Sequence, residues 1–103
     1  MLPDRKISLT KKAEERLKRI KQSTGQSVNQ LANEKFFLSL ETNAKFDVRN
    51  SEKPTMGDIK LEKSTWLGEC QTLVEVSLKN LYPSANEDDA ALLWALHIES
   101  TII

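Results

Sequence analysis

The feature that most constrains the fold lies in residues 5–41, where a short alternating segment precedes two helical patterns separated by a glycine. Ile7 and Leu9 alternate with polar residues, which predicts an extended segment over residues 5–10. Thr10 is suited to cap the helix that follows, because its hydroxyl can accept a free backbone N–H. The order of extended segment, helix, turn and helix predicts an N-terminal half on which the rest of the chain packs.

Two helices are predicted in this half. The first runs from Lys11 to about Thr24, and Gly25 ends it, since glycine readily adopts the left-handed conformation of a helix C-terminus. The second begins after Ser27, which has the capping-box spacing to Gln30. The residues expected to face inward are Ala13, Leu17, Ile20 and Thr24 in the first helix, and Val28, Leu31, Ala32, Phe36, Leu38 and Leu40 in the second.

Residues 42–60 have the least regular pattern. The runs 45–49 and 58–61 alternate briefly around Pro54 and Gly57, so they are compatible with a small hairpin or with a long loop. We prefer the loop.

Two further helices complete the predicted fold. The third starts near Ser64 or Thr65 and is stopped by Pro83, and the spacing of Ser84 and Glu87 predicts the start of the last. These elements predict an all-α protein: one small four-helix domain over residues 1–103 with a short N-terminal extended segment. The inward residues expected are Trp66, Leu67, Cys70, Leu73, Val74, Leu78 and Leu81, then Ala91, Leu92, Ala95, Leu96 and Ile98, with Ile102 and Ile103 also packed.

Charge is divided unevenly along the chain, although the formal net charge is zero. Residues 1–53 contain 12 Lys or Arg and 7 Asp or Glu, a balance of +5, whereas residues 54–103 contain 3 and 8, a balance of −5. This division suits a polyanionic partner for the basic half, or an attraction between the two halves. The single cysteine excludes a disulfide framework and, with a charged start and no long apolar run, favours a cytoplasmic protein without membrane association.

The first helix carries the candidate binding residues. Glu14 and Glu15 precede Lys18 and Arg19 by four residues, which favours ion pairs along the helix. A cationic flank remains beside the apolar stripe, and it suits either phosphate binding or simple solvation. The candidate DNA-binding residues are Arg5, Lys6, Lys11, Lys12, Arg16, Lys18, Arg19 and Lys21.

The layout of this N-terminal half also resembles that of the ribbon-helix-helix DNA binders, in which strands from two subunits pair and enter the major groove. In that interpretation Lys6, Ser8 and Thr10 face the groove. The chain is then a sequence-specific transcriptional repressor.

Catalytic and metal-binding patterns are lacking in the sequence. His97 lies among apolar residues and Cys70 lies on the apolar side of the third helix, so both are interpreted as structural. There is no phosphate-binding glycine loop, and no carboxylates are paired for acid–base work. We therefore expect no catalysis, no metal and no cofactor.

Six short segments follow one another along the chain: Met1-Leu2-Pro3, Ile7-Ser8-Leu9-Thr10, Leu17 to Gly25, Leu38-Ser39-Leu40-Glu41, Trp66-Leu67-Gly68-Glu69 and His97-Ile98. In their order and spacing, these segments resemble the DndE family of DNA phosphorothioation proteins. This bacterial modification replaces a non-bridging phosphate oxygen of DNA with sulfur. One difference from the family lies in residues 99–101, Glu-Ser-Thr, where members carry a basic residue and glycine.

The resemblance implies an all-helical homo-oligomer, a tetramer, that binds DNA through surface lysines and prefers nicked duplex. It also implies that the chain works with the other DNA sulfur modification proteins and has no catalysis of its own. An alternative within this family is a protein adaptor of the modification complex that does not bind DNA itself.

Overall fold

The computed structural model describes residues 2–48 and 53–102. The elements follow the chain in the order strand, two helices, strand and three helices, with a single 3₁₀ turn before the fourth helix. Their bounds are β1 Ile7–Thr10, α1 Lys11–Thr24, α2 Val28–Glu41, β2 Met56–Leu61, α3 Lys63–Leu67, the 3₁₀ turn Gly68–Cys70, α4 Gln71–Leu81 and α5 Glu87–Ser100.

β1 and β2 form a two-stranded antiparallel sheet, so the protein is α+β and the all-α prediction is wrong. Ile7 pairs with Leu61 and Ser8 with Lys60, and the register shifts between Ser8 and Thr10. The preferred loop over 42–60 is therefore wrong at 56–60, which belong to β2. The alternative hairpin is wrong too, because residues 58–61 pair with β1. Arg49 is the last residue of the other run in that hairpin, and it lies outside the described residues. Local alternation cannot reveal a partner almost fifty residues away.

The ends of the first two helices follow the predictions. The Thr10 hydroxyl accepts the N–H of Ala13, and Gly25 ends α1 with a φ of 76°. Ser27 and Gln30 form the complete capping box of α2. At α5 the predicted capping residue is wrong, because the side chain of Asn86, and not that of Ser84, accepts a helix N–H.

The predicted third helix is broken in the structure. α3 ends at Leu67, and Gly68 has a φ of 52°, a left-handed conformation that interrupts the helical path. Trp66, within α3, is buried, and its indole N–H donates to the Ile7 carbonyl at 2.8 Å. Cys70 is only half-buried, at the edge of the core, rather than deep in an apolar helix face.

The core lies between β1, α2 and α5. At its centre the rings of Trp66 and Trp94 meet edge-to-face with centroids 5.5 Å apart. Most predicted inward residues are buried or half-buried, and Ile102 packs against the core, whereas Ile103 lies outside the described residues. Thr24, Leu38 and Leu73 are exceptions that lie exposed at the surface.

Candidate nucleic-acid interface

Three of the predicted basic residues lie together on the outer side of α1. Lys12, Arg16 and Arg19 are exposed and line one shallow depression with Glu15. They recur at intervals of four and three residues, so they share one side of the helix. Leu17 is fully buried on another side of α1, which fixes the rotation of the helix. We call Lys12, Arg16 and Arg19 the basic flank.

A buried carboxylate holds α1 against β2. Glu14 is 3% exposed, and its Oε1 accepts the backbone N–H of Ile59 at 2.7 Å. Burial alone would raise the pKa of Glu14, but hydrogen bonds from the N–H groups of Ile59 and Asp58, with the Lys18 ammonium, outweigh it and lower that pKa. Gly57 makes this approach possible, since a Cβ there would lie 2.6 Å from Glu14 Oε1. Nothing in the helical pattern marked Glu14 as buried.

The other predicted site residues do not join the basic flank. Lys18 pairs with Glu14 at 3.4 Å, as its spacing predicted. Arg5 pairs with Asp88 at 2.7 Å, near the start of α5. Between Glu15 and Arg19 no ion pair forms among the described residues, so Arg19 stays open to a ligand. The remaining predicted residues, Lys6, Lys11 and Lys21, are exposed outside the depression.

β1 does not present the side chains expected of a ribbon-helix-helix protein. Thr10 is fully buried, and its hydroxyl caps α1 and donates to Glu99 at 3.0 Å. Ser8 is half-buried and only Lys6 is exposed. β1 pairs with β2 of its own chain, which occupies one of its hydrogen-bonding edges. The prediction that Thr10 faces the major groove is therefore wrong.

A polar network lies inside the core around His97, which is completely buried. Its Nδ1 lies 2.9 Å from the Ser39 hydroxyl, and its Nε2 lies 2.8 Å from that of Tyr82. Burial lowers the pKa of His97 to about 4, so its imidazole is neutral near pH 7. Burial also raises the pKa of Tyr82, although the N–H of Phe46 opposes this shift. Each ring nitrogen has a partner within the core, as expected of a structural histidine.

Within residues 2–48 and 53–102, no group of three or more His, Cys, Asp or Glu side chains is placed to hold a metal ion. None of the helices in that part of the chain is both long enough and apolar enough to cross a bilayer.

The fold and the basic flank define a small α+β protein with a cationic helix surface. The family model of the DNA sulphur modification protein DndE matches residues 6–103. The chain therefore belongs to the DndE family, as its sequence motifs predicted.

Two solved structures are similar over nearly the whole chain. DndE from Escherichia coli B7A, described as involved in DNA phosphorothioation modification, is 34% identical with a TM-score of 0.86, and the match covers 99% of this chain and 96% of that one. A double glycine-to-lysine mutant of DndE involved in DNA phosphorothioation is 33% identical with a TM-score of 0.88 and the same coverage. No match was found among curated proteins.

Proposed function

We propose that this protein is a non-catalytic DNA-binding subunit of the bacterial DNA phosphorothioation machinery. Family membership supports a role in this modification, in which the DndE of Escherichia coli B7A is involved. The observation that carries the DNA-binding part is the basic flank, where Lys12, Arg16 and Arg19 line one depression. Cations held at a common surface can contact successive phosphates of a nucleic-acid backbone.

The geometry favours contacts to phosphates over contacts to bases. The basic flank lies on one side of α1, while Leu17 and Glu14 on its other sides are buried against the rest of the protein, so α1 is not free to enter a groove deeply. Binding through phosphates carries no base information, so we propose that it is independent of DNA sequence.

A preference for nicked duplex follows from deformability. A nick removes one backbone link, so the duplex bends there at a lower cost and both arms can approach a cationic surface. We therefore propose that the protein prefers nicked duplex, as the family resemblance implies.

Self-association would strengthen such binding. Three cations in one chain form a small binding site. Several linked copies of the chain on one duplex would bind it with a higher overall affinity than one copy. Leu73 and Val76 are 62% and 51% exposed and lie three residues apart on α4, a spacing that places them on the same side of the helix. We propose that this apolar surface contributes to a homo-oligomer, a tetramer, that works with the other DNA sulfur modification proteins.

The test is a titration of the purified protein into nicked and intact duplexes of one sequence across a salt series, with the solution mass measured alongside. The proposal expects an oligomeric mass, tighter binding to the nicked duplex and an affinity that falls steeply with salt. Equal binding to both duplexes would remove the nick preference alone. No binding at physiological salt would contradict the proposed DNA-binding role.

An adaptor function is the second candidate, and the charge distribution favours it. The first turn of α5 carries Glu87, Asp88 and Asp89, and the formal net charge of the chain is zero. Such a surface can meet a basic protein partner while the basic flank meets an acidic one. This candidate predicts a salt-sensitive complex with another modification protein and no DNA binding.

A further inference from the structure

The ion pair between Arg5 and Asp88 joins two distant parts of the chain at the surface. The Arg5 Nη2 lies 2.7 Å from the Asp88 Oδ1, and the side chains are 55% and 78% exposed. An ion pair this accessible to water is weak, because water solvates both charges well when they separate. Although the two atoms are close, another anion can therefore replace Asp88 as the partner of Arg5.

The position of Arg5 does not depend on Asp88. Leu2 is buried, and its carbonyl accepts a hydrogen bond from the Lys63 ammonium at 3.0 Å. The same ammonium pairs with Asp4 at 3.2 Å, directly before Arg5. The segment that carries Arg5 is thus anchored to α3, and the guanidinium stays in this region when Asp88 is lost.

Asp88 is also stable without Arg5. It lies in the first turn of α5, where the unpaired backbone N–H groups and the helix dipole favour a negative charge. Glu87 occupies the same turn and is equally suited to it. Exchange of the Arg5 partner therefore leaves no buried or uncompensated charge on either side.

Arg5 and Asp88 lie at the edge of a depression of about 490 Å³ between β1 and α5. Ser8, Lys53 and Asp89 also line it. A phosphate that meets Arg5 at this place has the Lys53 ammonium and the Ser8 hydroxyl in the same depression. The guanidinium group can bind two oxygens of one phosphate group. In the structure it contacts a single carboxylate oxygen of Asp88, at 2.7 Å.

We infer that Asp88 masks Arg5 as a second DNA phosphate contact and is displaced when DNA binds. The inference rests on the proposed DNA binding and extends it from the basic flank to the start of β1. Asp88 then limits affinity, because its displacement opposes binding. The contact is a regulated addition to the basic flank rather than a replacement for it.

The experiment compares D88N with E87Q, each in the complete chain, by titration of a duplex DNA across a salt series. Both substitutions remove one negative charge from the same helical turn, but only the first releases Arg5. We expect D88N to bind DNA about two- to five-fold more tightly than the original protein, which corresponds to the usual strength of an exposed ion pair. E87Q should give less than half of that gain.

A second comparison adds R5Q alone and in the D88N background. R5Q should cancel the gain in DNA affinity that D88N gives. The slope of log affinity against log salt concentration should be steeper for D88N than for the original protein, by about one released ion. Equal effects of D88N and E87Q, or a gain that survives R5Q, would overturn the inference while the basic flank still binds. Failure of the original protein and of D88N to bind DNA would overturn the proposed function and this inference together.

Discussion

The Nε2 atom of His97 lies 2.8 Å from the hydroxyl oxygen of Tyr82 and accepts a hydrogen bond from that hydroxyl. The direction follows from the neighbours. Ser39 donates its hydroxyl proton to the Phe36 carbonyl, so its oxygen accepts the Nδ1–H of His97. The Tyr82 oxygen in turn accepts the N–H of Phe46 at 3.0 Å. The network thereby fixes a neutral tautomer and joins α2, α5 and the end of α4.

Stability should fall in mild acid because the core holds His97 neutral. The unfolded imidazole has its usual pKa of 6.5 and the folded one a pKa of about 4, so between these values the unfolded chain binds more protons. The contribution is complete above pH 6.5 and is lost as the pH falls towards 4. We expect the free energy of unfolding to drop by about 2 kcal/mol between pH 7.5 and pH 5, measured by urea denaturation.

The control for this prediction is H97Q, which cannot titrate. Its stability should be nearly constant between pH 7.5 and pH 5, whatever its absolute value. Glu14 does not contribute to the change in this pH range. Its pKa is lowered in the folded protein, so the stability that it provides is lost only below about pH 4.5, its usual pKa. A pH dependence of the same size in H97Q would show that His97 is not its source.

Removal of the Tyr82 hydroxyl should destabilise the protein at neutral pH. Y82F leaves both His97 Nε2 and the Phe46 N–H without their partner, in or near the core. We expect a loss of about 1–3 kcal/mol in the free energy of unfolding. S77A is a suitable control, since the Ser77 hydroxyl only donates to the Leu73 carbonyl within α4. Equal losses in the two variants would contradict the network.

Gly57 should be required by the carboxylate that faces it. G57A places a Cβ 2.6 Å from the buried Glu14 Oε1, which cannot move without losing its bond to Ile59. We expect a loss of about 1–3 kcal/mol. In an E14A background the same substitution should cost clearly less, so a denaturation double-mutant cycle measures the coupling. Additive losses would show that Glu14 is not the obstacle.

The parts of the fold that local patterns predicted are those that local physics decides. The caps at Thr10 and Ser27, the glycine end of α1 and most of the buried stripe follow from helix geometry and hydrogen-bonding groups within a few residues. The basic flank was predicted in the same way, since Lys12 and Arg16 are one turn apart. The sequence motifs also identified the family correctly.

The parts that were missed depend on distant partners. β2 is a strand because it pairs with β1, and the brief alternation of residues 58–61 did not identify that partner. Glu14 is buried because Gly57 and Ile59 approach it, and Arg5 is paired because α5 returns to it. The sequence shows a glycine at position 68, but it does not show that its φ is 52° and that α3 ends there.

The exposed apolar surface of α4 should carry part of the self-association. L73E and V76E place charges on side chains that are already exposed, so the fold should persist while the contact between copies is lost. We expect the double variant to show a smaller mass in sedimentation than the original protein. T72E, at an exposed position beside Leu73, is the matched control and should retain the oligomer. An unchanged mass of the double variant would place the contact elsewhere.

Charge reversal on the basic flank shows whether this surface binds DNA. R16E and R19E, alone and together, are compared with K79E, an exposed lysine on α4 outside the flank, by titration of nicked duplex at several salt concentrations. We predict that the double variant binds at least about ten-fold more weakly and with a shallower salt dependence, while K79E changes affinity by less than about two-fold. Equal binding by the folded double variant and the original protein would contradict the account.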